Sequence, residues 1–136
     1  MCHSAPVTTT TPAARPTAPG RRVWFVLGLL ALAVQLWSLY TTNPPGGVTF
    51  PHADKVVHVL LFAVPVACFC RAASRPLLVA GIFALHAVLS ELVQYHWVSG
   101  RSGSPADAVA DMLGVGAGWL WAAWPPGRTQ HRRDEA

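Results

Sequence analysis

The chain has 136 residues, of which 52% are hydrophobic and only 12% are charged. Soluble domains carry roughly 25% charged residues, so this composition excludes an ordinary soluble domain and indicates a membrane protein. The net charge of +4 does not indicate nucleic-acid binding, because the basic residues flank apolar segments and form no stripe with aromatic residues.

The two ends of the chain differ in composition from its middle. Residues 1–20 are rich in Thr, Pro and Ala without apolar periodicity, so we expect a disordered tail there. Residues 126–136 form a short charged tail, and residues 21–125 hold the apolar segments. The sequence therefore predicts one membrane domain between two tails.

The first apolar segment, residues 23–40, reads as an uninterrupted apolar run of 18 residues. As a helix it would be about 27 Å long, close to the hydrocarbon thickness of a bilayer. Trp24 at one end and Trp37 at the other are residues typical of membrane interfaces. The segment is too long for the apolar core of a signal peptide, so we expect a membrane helix.

Two further apolar segments follow. The first covers about residues 54–70, and Pro65 inside it predicts a kink of the kind that membrane helices tolerate. The second covers about residues 77–95 and is preceded by Pro76, a residue favoured in the first turn of a helix. Both segments are long enough to cross a membrane as helices.

The fourth segment has the clearest helix start in the chain. Ser104 is a favoured N-cap residue, Pro105 suits the first helical position, and Asp107 places an acid in the first turn. We expect the helix to continue to Trp124, because two prolines and a glycine follow.

One face of this fourth helix combines acids and glycines. Asp107, Asp111, Gly114 and Gly118 fall within a stripe about 60° wide. The two glycines form a G-x-x-x-G pattern, which lets another helix approach closely. We therefore expect the two aspartates to face a neighbouring helix rather than lipid.

The basic residues predict the orientation. Eight of the ten Lys and Arg residues flank the segments on one side, and the positive-inside rule places that side in the cytoplasm. The sequence therefore predicts an all-α, multi-pass protein of the cell membrane with four transmembrane helices and both termini cytoplasmic. The eight residues are Arg15, Arg21, Arg22, Arg71, Arg75, Arg128, Arg132 and Arg133.

Polar residues from three helices converge on the opposite, outer side. Polar groups near a bilayer are costly and mark a functional site by default, so we treat these residues as ligand-binding candidates. They are Asp54, Lys55 and His58 on the second helix, Glu91 and Gln94 on the third, Arg101 in the loop, and Asp107 and Asp111 on the fourth.

Four carboxylates among these residues face only two permanent cations, Lys55 and Arg101. A protonated carboxyl group, a charged His58, a bound metal or a cationic ligand group could relieve the excess, and the sequence does not choose among them. Asp54, His58, Glu91 and Asp111 could supply metal ligands, but no H-E-x-x-H or paired-histidine motif accompanies them. We therefore predict neither a metal nor a cofactor.

Structural roles explain several of these residues individually. Asp107 could serve only as part of the helix cap, and Asp54 with Lys55 could form a solvated ion pair of little energetic value. Glu91 could pair with Arg101 simply to hold two helices together. The convergence of all these groups on one side is harder to explain in this way.

At these residues the chain resembles the VanZ-like family of small membrane proteins, named for a protein associated with teicoplanin resistance. The resemblance covers about residues 50–120 and rests on order, spacing and helix placement. The matching pieces are Asp54-Lys55-Val56-Val57-His58 with Phe62, Ser90-Glu91-Leu92-Val93-Gln94, Arg101, and Asp107-x3-Asp111-x2-Gly114-x3-Gly118.

The resemblance implies a bacterial membrane protein with an envelope-related role and a link to glycopeptide resistance, but it supplies no mechanism. The family pattern usually carries Asn where this chain has Asp111, so the chain holds an additional acid there. A role that requires this position to donate a hydrogen bond would need Asp111 to be protonated.

Three functions remain open at this point. The first is a VanZ-like protein whose outer pocket binds or modifies a lipid-linked or cell-wall ligand. If it is an enzyme, Glu91 and His58 are the candidate general base and acid, with Lys55 and Arg101 holding an anionic headgroup. The second is a non-enzymatic scaffold whose polar cluster locks helix packing. The third, a small transporter, is the weakest, because paired broken helices are absent from the pattern.

Overall fold

The structure, a computed structural model, describes residues 20–42, 52–99 and 103–124, and this part of the chain is all-α. The tails predicted over residues 1–20 and 126–136 lie outside the described residues, apart from Gly20. The helices are α1 (Arg21–Tyr40), α2 (Ala53–Ala72), α3 (Pro76–Trp97) and α4 (Pro105–Ala123).

The helices extend slightly past the apolar runs from which they were predicted. α1 starts at Arg21, and α2 continues through Arg71 to Ala72. Arginine and alanine are good helix formers, so the backbone continues as helix into the interfacial residues. The predicted start of α4 is confirmed. Ser104 is its N-cap, with the Ser104 hydroxyl accepting a hydrogen bond of 3.2 Å from the Asp107 amide, and proline occupies the first turn.

Three of the four helices, α1, α2 and α3, are long and apolar enough to cross a membrane. The fourth crossing predicted from the sequence is not among them. α4 carries Asp107 and Asp111 in its first two turns and three glycines further on, and these residues lower its mean hydropathy.

Side-chain contacts give the direction of each helix. Lys55 near the start of α2 bonds to Asp107 near the start of α4, and Arg71 near the end of α2 reaches the Trp121 carbonyl near the end of α4. These two helices are therefore parallel. We call the end with Lys55 and Asp107 the polar end, and the end with Arg71 the basic end.

α1 and α3 run in the opposite direction and close the bundle around α2. At the basic end, the Arg21 side chain donates a hydrogen bond of 2.8 Å to the Ala72 carbonyl. At the polar end, the Gln94 amide donates one of 2.9 Å to the Leu39 carbonyl. α1 is thus joined to α2 at the basic end and to α3 at the polar end.

The closest approach in the bundle is between α2 and α4, at Gly114 and Gly118. A Cβ atom on Gly114 would collide with the Val59 carbonyl oxygen, and one on Gly118 would collide with the Ala63 carbonyl oxygen. Only glycine allows the two backbones to lie this close. This contact sets the spacing at which side chains of α2 and α4 meet near the polar end.

The surface of the bundle is apolar around the helices, whereas its interior holds polar groups. Leu30, Leu85 and Leu113 are each more than 60% exposed, as lipid-facing residues would be. Inside, Gln35 of α1 is completely buried, and neither polar atom of its amide has a hydrogen-bond partner among the described residues. The description of residues 23–40 as uninterrupted apolar was wrong, since the run contains Gln35 and Ser38.

Candidate functional site

The polar end contains two layers of interacting side chains, and the outer layer is an ion-pair network centred on Lys55. The Lys55 ammonium donates to Asp54 at 3.0 Å and to Asp107 at 2.9 Å. The Asp54 side chain is 62% exposed, whereas that of Asp107 is only 14% exposed. The Ser104 hydroxyl donates to the second oxygen of Asp107 at 2.6 Å. This layer joins α2 to α4.

The inner layer lies about one helical turn deeper and consists of His58, Glu91 and Asp111, which we call the polar triad. The His58 Nδ1 atom lies 2.9 Å from Asp111 Oδ1 and 3.8 Å from Glu91 Oε1. All three side chains are at least nine-tenths buried, and Asp111 has no exposed surface. The triad thus brings together one residue each from α2, α3 and α4.

Helical periodicity explains the two layers. His58 follows Lys55 by three residues on α2, and Asp111 follows Asp107 by four residues on α4, so each pair lies on one helix face. The two helices are parallel and held close by the glycines, so matching faces meet in register. Glu91 reaches the same place from α3, which runs the other way.

Two oxygens of the triad have no partner. Glu91 accepts a hydrogen bond of 2.9 Å from the Ser104 backbone amide at Oε2, but its Oε1 atom has none among the described residues. Asp111 Oδ2 is likewise buried and without a described partner. A buried oxygen without a partner costs roughly 1–3 kcal/mol, more when it is charged. The triad therefore has unused acceptor capacity.

The charge in this region is unbalanced. Lys55 is already engaged by Asp54 and Asp107, so it leaves the triad carboxylates uncompensated. A protonated His58 would compensate one of them. Arg101 lies outside the described residues. The sequence analysis counted it as a second cation and as a ligand-binding candidate. Within the polar triad, one negative charge remains even with a charged His58.

Gln94 and Ser90 have structural contacts. The Gln94 amide is bound to the Leu39 carbonyl of α1, and the Ser90 hydroxyl bonds to the Ala87 carbonyl one turn back in α3. Gln94 therefore has a packing role between α1 and α3, in addition to being a ligand-binding candidate from the sequence.

His86 lies deeper on α3, in an aromatic environment. Its ring centroid lies 5.5 Å from that of Phe62 and 6.4 Å from that of Tyr40. Its Nε2 atom is buried without a hydrogen-bond partner among the described residues. His86 is half-buried and Gln35 fully buried, and the sequence analysis placed neither in a site. The signal for both is a polar residue inside an apolar run.

A groove between α3 and the start of α4 is lined by one member of the triad, Glu91. It has a volume of about 330 Å³ and is lined by Glu91, Leu92, Tyr95, Ser104 and Ala108, among others. Its walls are mostly apolar, and Glu91 is the charged residue among those that line it. An elongated apolar molecule with a polar head would match this combination.

The triad also matches the requirements for binding a metal ion. One ligand atom from each residue lies within 4.8 Å of the others. The sequence analysis predicted no metal because no local ligand motif is present; these three ligands come from three different helices and have no fixed spacing.

Comparisons of the chain with protein-family models, curated proteins and solved structures find no match.

Proposed function

We propose that the chain is a VanZ-like integral membrane protein whose polar end binds or modifies a lipid-linked or cell-wall ligand. The observation that carries this proposal is the buried polar triad, in which His58, Glu91 and Asp111 meet with two unsatisfied oxygens. Buried groups of this kind in a membrane protein are expensive and are retained mainly where they serve a function.

The groove beside Glu91 supports a lipid-linked ligand in particular. Its apolar walls would accept an acyl or prenyl chain arriving sideways from the bilayer. The head of the same molecule would then lie next to the Glu91 carboxylate and the Ser104 backbone at the start of α4.

Two side chains of the triad are suited to proton transfer, should the ligand be modified. A protonated His58 that donates its Nδ1–H to Asp111 would present Nε2–H as the acidic group. Glu91, a residue that lines the groove, has one buried oxygen without a described partner. We assign Glu91 as the candidate general base and His58 as the candidate general acid, with Asp111 orienting the imidazole. Lys55 would hold an anionic headgroup by exchanging one of its two carboxylate partners for it, together with Arg101.

The orientation that we propose places the polar end outside the cytoplasm and the termini inside the cell. Arg21, Arg71 and Arg75 lie together at the basic end, as expected for the cytoplasmic side. The Arg71 guanidinium lies 3.9 Å from the Trp121 ring centroid and 5.2 Å from that of Trp24, a combination typical of an interface.

This orientation requires α4 to cross the membrane as well. The hydropathy of α4 is lowered by Asp107 and Asp111, but both lie against α2 rather than facing lipid. The lipid-facing residues Val109, Leu113 and Leu120 of the same helix are apolar and at least 60% exposed. Membrane insertion of the folded bundle depends on that outer surface.

The alternative is that the polar cluster only locks the helices together and the protein acts through a partner. Two contacts that join helices directly favour this hypothesis. They are the Lys55–Asp107 ion pair and the hydrogen bond between Gln94 and Leu39. It does not account for the unpartnered oxygens of Glu91 and Asp111.

The groove gives a direct test of ligand binding. The purified protein would be titrated with a polyprenyl phosphate in detergent, and complexes would be counted by native mass spectrometry. Ala108→Leu places a larger side chain in the groove and should weaken binding about tenfold, which is about 1.4 kcal/mol. Ala106→Leu makes the same change on the exposed face of α4, outside the groove, and should leave binding unchanged.

Equal binding by the parent and by Ala108→Leu would contradict a lipid-linked ligand in this groove. Binding that disappears equally in both variants would also contradict it, since the effect would then not depend on the groove. Melting temperatures of both variants, measured in the same detergent, show that each is folded.

A further inference from the structure

We propose that the polar triad is a binding site for one divalent transition-metal ion, held by an imidazole nitrogen of His58 and carboxylate oxygens of Glu91 and Asp111. This inference deepens the proposed function by assigning an ion to the same cluster, and its argument and its test stand on the geometry of the triad alone. With the ion bound, His58 and Glu91 are ligands, so the proton-transfer roles assigned to them above apply to the cluster without the ion.

The distances of the His58 nitrogen from the two carboxylates fit such an ion. Nitrogen and oxygen ligands lie about 2.0–2.2 Å from Zn²⁺, so ligand atoms of a tetrahedral site are about 3.2–3.6 Å apart. The distances from His58 Nδ1 to Asp111 Oδ1 and Glu91 Oε1, 2.9 and 3.8 Å, bracket this range. Small side-chain adjustments would make the two distances equal.

The surroundings hold the ligands in place. Glu91 is fixed from behind by the Ser104 backbone amide at Oε2, which leaves Oε1 directed toward His58. Asp111 is completely enclosed between α4 and α2, where Gly114 allows the close approach. Outer contacts of this kind orient metal ligands and contribute to affinity.

Charge and hydrogen bonding both favour a cation. A divalent ion bound to neutral His58 and two carboxylates makes the buried group electrically neutral. It would also give a partner to Glu91 Oε1, which has none among the described residues. The mixture of one imidazole and two carboxylates suits Zn²⁺ or Mn²⁺ better than soft metals, which prefer thiolates.

Three protein ligands leave at least one coordination position for water or a ligand, which is the arrangement of catalytic rather than structural zinc sites. A phosphate or a carbonyl group of a molecule in the groove beside Glu91 could occupy that position. The ion would supply the positive charge that Lys55, bound to two carboxylates, does not provide to the triad.

The test measures zinc binding directly. The protein would be stripped with a chelator in detergent, and its affinity for Zn²⁺ measured by competition with a zinc-binding dye. We expect one tight equivalent of Zn²⁺ for the parent. Loss of an outer contact alone costs roughly 10–100-fold in affinity, so loss of a ligand should cost at least about a hundredfold. His58→Gln, Glu91→Gln and Asp111→Asn are the ligand variants.

His96→Gln is the matched control, because His96 is an exposed histidine near the same end of the bundle and outside the triad. It should bind zinc as the parent does. Melting temperatures in chelator show that the variants are folded. Absence of a tight equivalent in the parent, or its retention in the three ligand variants, would overturn the metal site. Binding of polyprenyl phosphate to the chelated protein would leave the proposed ligand function intact in that case.

Discussion

Asp111 is the residue on which the polar end depends most. It is completely buried, and one carboxylate oxygen bonds to His58 while the other has no partner in the described part of the chain. An amide at this position could still accept the His58 hydrogen bond while removing a negative charge. The contribution of Asp111 to the stability of the fold can therefore be separated into that of its hydrogen bond and that of its charge.

Two substitutions distinguish these contributions. Asp111→Asn should leave the melting temperature of the chelated protein unchanged or higher, because the hydrogen bond remains and a surplus charge is removed. Asp111→Leu should lower stability by roughly 1–3 kcal/mol, because it leaves His58 buried without its partner. The measurement is thermal unfolding in detergent. A large fall for the asparagine variant would show that the charge itself stabilises the fold.

Gln94 is expected to behave in the opposite way, as a structural residue. Gln94→Leu removes the donor to the Leu39 carbonyl and leaves that buried carbonyl unsatisfied, at a cost of roughly 1–3 kcal/mol. Tyr95→Leu changes the neighbouring residue, which is 69% exposed, and should have little effect. Unfolding of both variants in the same detergent checks this. Equal stability of the Gln94→Leu and Tyr95→Leu variants would show that the contact of Gln94 with Leu39 does not stabilise the bundle.

At the scale of the helices, the contact between α2 and α4 determines whether the triad can form. Gly114→Ala should push the Val59 backbone away and lower stability by roughly 1–3 kcal/mol, as overpacking does. Gly116→Ala is the matched control two residues away, because a Cβ there meets nothing within 4 Å. Its stability should be unchanged or slightly higher, since alanine favours helix over glycine.

The glycine comparison is read out by thermal unfolding and by zinc affinity. We expect Gly114→Ala to lower both, since separation of α2 from α4 also moves His58 from Asp111. Equal stability of the Gly114→Ala and Gly116→Ala variants would contradict the close approach of α2 and α4.

The same helices show what could be predicted from sequence. Apolar length predicted the four helices to within about two residues at most ends, and the Ser104 cap followed from local residue types. The pairing of Lys55 with Asp107 and of His58 with Asp111 could not be predicted, because the parallel arrangement of α2 and α4 is a tertiary property. The hydrogen bond from the Ser104 amide to Glu91 could not be predicted either, because its donor is a backbone group that any residue type would supply.

Buried polar residues set another limit on the sequence analysis. The sequence analysis counts Gln35 as part of an apolar run, although its side chain is completely buried and faces the other helices rather than lipid. Periodicity alone does not identify which face of a uniformly apolar helix turns inward, because lipid and protein interiors are similarly apolar. A single polar residue in such a helix is therefore the better indicator of the inward face.

For the whole molecule, the proposed orientation makes a testable prediction about the number of membrane crossings. Our orientation predicts an even number, with α4 crossing and residue 136 in the cytoplasm. A fluorescent reporter that folds only in the cytoplasm, fused after residue 136, should be active, and alkaline phosphatase at the same position should be inactive. Active phosphatase there would mean that α4 does not cross, since three crossings place the two ends on opposite sides.

The most direct test of the account is the melting temperature of Glu91→Gln against the parent, both in detergent with chelator. Glutamine can keep the hydrogen bond from the Ser104 amide while it removes a buried charge without a described partner at Oε1. Groups retained for function are commonly kept at a cost in stability, so we predict an unchanged or higher melting temperature. A loss of roughly 3–5 kcal/mol, as expected when a buried charge pair is broken, would contradict the account and make the polar triad a scaffold.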